Sequence, residues 1–255
     1  MSDTPQVDLP DGYRLVCHDA LTSTNDEARR LADTGAEAGT IVWARRQTAG
    51  RGRRGRTWDS QGGNLFASII VRPTCSVEQA MQVVFVAANA VYAAVAASLP
   101  EGPEVRCKWP NDILIDGKKV CGMLLETGGI TGTVVDWLVA GIGINVAHYP
   151  KDGLYPATSL AEHGATPNIE KVLSRLAFAF NEEQTRWETD GFGAVRQRWL
   201  SQCTGLGGPI RVVTEQKTRN GVFETLDEHG ALVLRTEDGL ERITAGDVFL
   251  PVGRT

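Results

Sequence analysis

Paired cysteines are missing from this sequence. Its 255 residues include five cysteines, Cys17, Cys75, Cys107, Cys121 and Cys203, scattered and odd in number, with no C-x-x-C among them. That pattern excludes a disulfide framework, argues against zinc, and predicts a reduced, cytoplasmic setting. The start, MSDTPQVDLPDGYR, has no basic segment and no apolar core, so no secretory leader is expected. Long uncharged apolar runs are also scarce. The one candidate, MQVVFVAANAVYAAVAASL (81–99), contains Gln82 and Asn89 and is rich in alanine. It is expected to be a buried core helix rather than a membrane span. An excess of positive charge is lacking too. The net charge of −5 argues against a surface built throughout for nucleic acid, so neither DNA nor a membrane is an expected partner. The length permits a full core, as one domain or as a large and a small one.

Against this acidic background stands AGRGRRGRTW (49–58), part of a stretch with six arginines between Arg45 and Arg56. Three glycine templates overlap here. Gly50-x-x-x-x-Gly55-Arg56-Thr57 differs from a phosphate-binding P-loop by an arginine where the lysine belongs. Gly50-x-Gly52-x-x-Gly55 matches both the dinucleotide and the kinase pattern. The first two templates need a helix directly after the glycines, because its N-terminal amides hold the phosphate. Here WDSQGGN follows and leads into a strand-like run. The kinase template fails because neither H-R-D-L-x-x-x-N nor D-F-G occurs. An ordinary solvated charge run mixes signs, whereas no acid lies between Glu37 and Asp59. A flexible anion clamp fits best: arginine forks bond phosphate strongly and glycine amides line the same concavity. With no acid nearby, the loop is expected to repel itself, to be mobile when empty, and to settle on an anion.

Helices and strands interleave through residues 1–204. YRLVCH, TIVWA and NLFASIIV read as strands, and Thr24-x-x-Glu27 reads as a capping box opening a helix that stops at Gly35. Ser76-x-x-Gln79 caps the apolar helix. EVRCKW and DILID read as strands, Asp116-Gly117 as a tight turn into KKVCGMLLE, and TVVDWLVAGIGINV as a long strand. NIEKVLSRLAFAFNEEQTRWE and GAVRQRWLSQC carry helical patterns. Over residues 205–255 the character changes to short strands with glycine turns, which predicts a small β module, an SH3-like barrel.

Three weaker signals accompany the loop. KWPND (108–112) sets a cation beside an aromatic and a rigid turn at a strand end; alone it reads better as a turn with an exposed lysine. STN (23–25) suits a ligand's polar head, although capping already explains Thr24. GIGIN (141–145) is either a bulged strand end or a place where a ligand meets bare backbone. Taken in order, with Gln47, GRGRRGR, Trp58, KKVCGMLLE and the β module, these stretches resemble biotin protein ligases from about Tyr13 to the C-terminus. About a dozen residues precede Tyr13, so the likeness is to the ligase-only form, without the winged-helix DNA-binding domain of some members.

The resemblance implies an α+β fold, a mixed central sheet with packed helices, followed by the small barrel. It implies ATP and biotin as substrates with Mg²⁺, formation of biotinyl-5′-AMP, and transfer of biotin to a lysine of a biotin carboxyl carrier domain of a carboxylase. By motif position, Ser23, Thr24, Asn25 and Gln47 would hold biotin's ureido head. Arg51, Gly52 and Arg53 would contact biotin and the adenylate, and Arg56 the phosphate. Trp58 would pack on adenine and Asn145 would hydrogen-bond the base, with Lys119, Gly122, Gly141 and Gly143 lining the pocket. Lys108, taken as an exposed strand-end cation, would bridge biotin's carboxyl and the phosphate and share the catalytic role with Arg53. The metal ligands stay open, as does the choice between monomer and homodimer. One rival is a lipoate or octanoate ligase or transferase, which would show R-R-x-x-G-G-G, a pattern missing here. The other is a nucleic-acid-binding module that uses the arginine loop.

Overall fold

The computed structural model describes residues 6–153 and 155–250. The first five residues of the stretch read for a leader and the last five of the β module lie outside the described residues. A seven-stranded mixed sheet organises the chain from β1 to β7, in the order β1-β2-β3-β7-β6-β5-β4. Its strands are β1 (Arg14–His18), β2 (Thr40–Ala44), β3 (Leu65–Val71), β4 (Val105–Lys108), β5 (Asp112–Ile115), β6 (Lys118–Thr131) and β7 (Val134–Ile144). Only β1 and β2 pair parallel; the other neighbours are antiparallel. Every residue of β2 and β3 is buried, which explains why TIVWA and LFASIIV are almost continuously apolar: both faces of the sheet are covered.

One face carries α1 (Thr24–Asp33), packed on β2, β3 and β7. The other carries α3 (Val83–Ala96), with α4 (Ile169–Asp190) and α5 (Phe192–Gln202) behind it. The long apolar segment is thus a core helix, enclosed by sheet and helices. Its capping box is present, with Gln79 N donating to Ser76 Oγ at 3.2 Å. That box opens a separate short turn, α2 (Val77–Ala80), before α3 begins. The β5–β6 hairpin turns at Asp116 and Gly117, both with positive φ, the twist that suits a two-residue turn.

The second sheet is antiparallel, in the order β11-β10-β9-β8-β12. Its strands are β8 (Pro209–Val213), β9 (Thr218–Leu226), β10 (Leu232–Thr236), β11 (Gly239–Ile243) and β12 (Asp247–Phe249). Among the described residues it is an open sheet, which corrects the expected barrel: β11 pairs only with β10 and the three-residue β12 only with β8, so the ends do not meet. Trp109 Nε1 donating to Gly230 O (3.3 Å) ties this sheet to the end of β4, and Arg196 Nε donating to Leu226 O (2.8 Å) ties it to α5. The contact brings β12 to the edge of the arginine loop.

Candidate active site

The start of α1 is where the first polar cluster forms. Ser23 occupies the N-cap position but makes no side-chain cap bond, and the expected Thr24–Glu27 capping box is absent. Gln47, in the loop that follows β2, takes its place: Gln47 Oε1 accepts from Thr24 N at 2.8 Å and from Thr24 Oγ1 at 3.2 Å. Glu27 pairs with Arg30 instead. A partner 23 residues away displaced the local one, and Ser23 Oγ is left for other use. Gln47 Nε2 donates to Ser60 Oγ (2.9 Å), and Ser68 Oγ lies 2.8 Å from Thr24 Oγ1 and 2.6 Å from Asn25 Oδ1. Asn25 Nδ2 donates to Glu126 Oε2 at 2.7 Å. These amides and hydroxyls form a buried, preorganised set of donors and acceptors, the kind that recognises an uncharged polar head.

GIGIN contains no bulge, since β7 keeps register with both neighbours through Gly141 and Gly143. The bare backbone serves close packing instead. A Cβ on Gly141 would lie 2.1 Å from Asn25 Oδ1, and one on Gly143 would lie 2.5 Å from Trp58 Nε1. Trp58 therefore packs against the bare backbone of Gly143 and its register partner Gly122. Lys119 Nζ stands 5.4 Å from the centre of the Trp58 ring.

The arginine loop joins β2 to β3 and contains a single tight turn, Arg53–Gly55. It is not short of counter-charge, which corrects the expectation of an un-neutralised loop. Arg51 pairs with Asp26 (2.6 Å) and Glu126 (3.0 Å), and Arg54 pairs with Asp247 of β12 at 3.2 Å. Arg56 hydrogen-bonds the same Asp247, which raises its pKa. Arg53 Nη1 donates to Asn111 Oδ1 at 2.9 Å, and burial pulls the pKa of this guanidinium down. The acids come from distant parts of the chain. They are carboxylates standing where a ligand's anionic oxygens would compete for the same guanidinium forks.

Lys108 corrects another expectation. It is buried, 9 % exposed, with Nζ 3.4 Å from Asp112 Oδ2. Asp112 Oδ1 also bonds Lys119 Nζ at 2.5 Å. Burial pushes the Asp112 carboxyl up, but Lys119 and Lys108 outweigh it and hold the pKa below the ordinary carboxylate value. Lys108 lies behind Asp112, off the wall of the open cleft, whereas Lys119 is on it. Asn145 is buried at the end of β7 and donates to Thr158 O at 3.0 Å.

One cleft of about 1200 Å³, counted to its open mouth, gathers Ser23, Thr24, Asn25, Gln47, Gly141 and the loop residues Arg51, Gly52, Arg53 and Arg56. Trp58, Lys119, Gly122, Gly143 and Asn145 line the same cleft. Of the residues anticipated from sequence, only Lys108 stands off its wall. Asn111, Asp112, Tyr155 and Asp247 also line it and were not anticipated individually. The first two sit inside KWPND and could have been found there; Tyr155 and Asp247 carry no local signal. Among the described residues no three His, Cys, Asp or Glu side chains gather as a metal cage. Asp112 and Asp247 are already engaged by cations. Magnesium suits this site only as part of the substrate, arriving on nucleotide phosphates.

A buried polar cluster and a set of cations open onto one cleft, an arrangement suited to ligands that carry an uncharged polar head and anionic groups. The chain belongs to the biotin/lipoate A/B protein ligase family, whose model matches residues 18–145, and the biotin protein ligase C terminal domain matches residues 205–250. It is 40% identical over 233 residues to a biotin–[acetyl-CoA-carboxylase] ligase of Paracoccus denitrificans, covering 89% of this chain and 96% of that protein. It is 36% identical to the bifunctional ligase/repressor BirA of Bacillus subtilis, over 94% of this chain and 74% of that protein. The biotin protein ligase of Aquifex aeolicus, solved in complex with biotin and ATP, superposes with a TM-score of 0.77 at 30% identity, covering 92% of this chain and 97% of that one.

Proposed function

We propose that the protein activates biotin with ATP and transfers it to a lysine of a carboxylase's biotin carboxyl carrier domain. The observation that carries this reading is the shared cleft: a neutral polar pocket and a cluster of cations open onto one space, on the fold of this family. In the first half-reaction a carboxylate oxygen of biotin attacks the α-phosphorus of MgATP. The bond to the bridging oxygen breaks and pyrophosphate leaves. Two anions must approach each other, so preorganised positive charge is the main requirement. Arg51, Arg53 and Arg56 supply it from the loop, and Lys108 and Lys119 supply it from the sheet. Sharing Asp112 draws both ammonium groups to one carboxylate, which limits the reorganisation left for the reaction.

Ser23, Thr24, Asn25 and Gln47 are assigned to biotin's ureido head, where rigid amides and hydroxyls match an uncharged urea. Trp58 and Asn145 are assigned to the adenine, one as an apolar face and the other as a hydrogen-bonding edge. In the second half-reaction the neutral amine of the carrier lysine attacks the acyl carbon. AMP leaves with the bonding electrons and the amine loses its proton to solvent. Loop closure over the mixed anhydride keeps water away from it in the interval. The boundary near residue 205 is taken as the end of the catalytic domain. The setting is taken as cytoplasmic, where the cysteines, free thiols in the structure, would stay reduced.

The test is biotin-dependent exchange of labelled pyrophosphate into ATP, run beside lipoate and octanoate. Exchange with biotin alone supports the assignment. Exchange with lipoate or octanoate would transfer it to the other branch of the family.

A further inference from the structure

Lys108 needs more than Asp112 to hold it, because one carboxylate contact fixes a flexible ammonium in only one direction. The second contact comes from the turn-rich segment after β7. The Tyr155 ring lies with its centre 4.7 Å from Lys108 Nζ. Behind it, Phe249 of β12 packs at 5.4 Å between ring centres and 34° between planes. Phe249 is backed in turn by Arg211, whose guanidinium sits 4.6 Å from its ring centre. A continuous stack therefore runs from the second sheet to the buried lysine. Tyr155 lines the cleft, and its ring lies against the lysine at the edge of that wall.

We propose that Tyr155 is a positioning residue for the adenylation half-reaction: its ring face, braced by Phe249, holds the Lys108 ammonium against Asp112. This rests on the proposed role of Lys108. An ammonium over an aromatic face is attracted by the ring's quadrupole, and more strongly where water is excluded. The hydroxyl is not the working part. Among the described residues its oxygen is buried with no hydrogen bond of good geometry; burial raises its pKa while Arg56, beside it, lowers it, so phenylalanine keeps the ring on Lys108 and gives up only this contact with Arg56. The ring is therefore what matters, and phenylalanine would replace tyrosine. The stack also gives the second sheet a definite part in the reaction, because Phe249 comes from β12.

Three variants, Tyr155→Phe, Tyr155→Leu and Phe249→Leu, are to be compared with the intact protein by two measurements. The first is pyrophosphate exchange, resolved into kcat and the KM for biotin. Tyr155→Leu should lose about tenfold in kcat with the KM for biotin within about twofold of the parent. Phe249→Leu should lose less, and Tyr155→Phe should restore most of the rate. The second needs no activity: the rate at which an amine-reactive reagent modifies Lys108, read by mass spectrometry. Lys108 should be protected in the parent and in Tyr155→Phe, and should react several-fold faster in Tyr155→Leu. Equal modification rates in Tyr155→Leu and the parent, with both cooperatively folded, would overturn the proposal. So would a Tyr155→Phe variant as defective as Tyr155→Leu. If the parent catalyses no exchange, the functional reading fails while the modification rates still decide the role of Tyr155.

Discussion

Alanine at position 141 should weaken biotin binding, while alanine at 143 should weaken nucleotide binding. The two glycines stand two residues apart on β7, so both new methyl groups would emerge on the same face. The Cβ at 141 would lie 2.1 Å from Asn25 Oδ1 and 2.8 Å from its Cγ. Asn25 must then move, and it is tied to Ser68, Glu126 and Leu124 O. Giving up a neutral hydrogen bond costs about 1 kcal/mol and one to a carboxylate about 1.5–3 kcal/mol. A cost of about 2 kcal/mol lowers the melting temperature by roughly 4–8 °C for a chain of this size. Loss of Asn25 as a ligand partner removes a further ~1–2 kcal/mol, about a 5- to 30-fold rise in the Kd for biotin. At 143 the obstacle is the Trp58 ring, whose Nε1 has no partner to lose, so biotin should be spared and the nucleotide affected. Calorimetric titration of biotin, then of a non-hydrolysable ATP analogue, separates the two. A biotin Kd within twofold of the parent for Gly141→Ala, or equal losses on both ligands for both variants, would refute the argument.

Lys108→Met keeps the apolar stem and removes the charge; it should lower pyrophosphate exchange by at least about 100-fold, and normal exchange would remove Lys108 from the chemistry. Because Lys108 is buried against Asp112, this variant should also melt at a lower temperature, unlike a change at an exposed strand end. Arg53→Gly unhooks the loop from Asn111 and should impair retention of biotinyl-5′-AMP more than its synthesis; labelling of a bystander protein reads this, and strict carrier selectivity would count against it. Asp112 has a lowered pKa, so its stabilising contribution is complete above the ordinary carboxylate value near 4 and is lost as pH falls through the lower folded value. Asp112→Asn should therefore be less stable than the parent at pH 7, with the gap closing below about pH 4 in thermal melts; a gap that persists there would contradict the pairing.

The apolar runs of β2 and β3, the Asp116-Gly117 turn and the Ser76 cap were legible because each depends on neighbours a few residues away. So were the cleft residues carried by short motifs, from Ser23 to Asn145. Partnerships across the chain were not. Arg51 meets Asp26 and Glu126 at separations of 25 and 75 residues, and Arg56 meets Asp247 at 191. Counting local acids around the loop therefore gave the wrong answer about its neutralisation. The same cause defeated the capping box, since Gln47 reached Thr24 from the loop after β2, 23 residues away. It also hid the burial of Lys108, because Tyr155 and Asp112 enclose it only once the sheet is assembled. The open second sheet follows from the shortness of β12, whose residues Asp247 and Phe249 face the arginine loop and Tyr155.

The most direct test is a single incubation of the protein with biotin, MgATP and a purified biotin carboxyl carrier domain, followed by intact-mass and peptide mapping of the carrier. The predicted result is the mass of one biotinyl group on one carrier lysine, dependent on both biotin and ATP. It should be lost when Lys108→Met replaces the parent protein. An unmodified carrier, or a carrier that takes lipoate or octanoate in place of biotin, would contradict it.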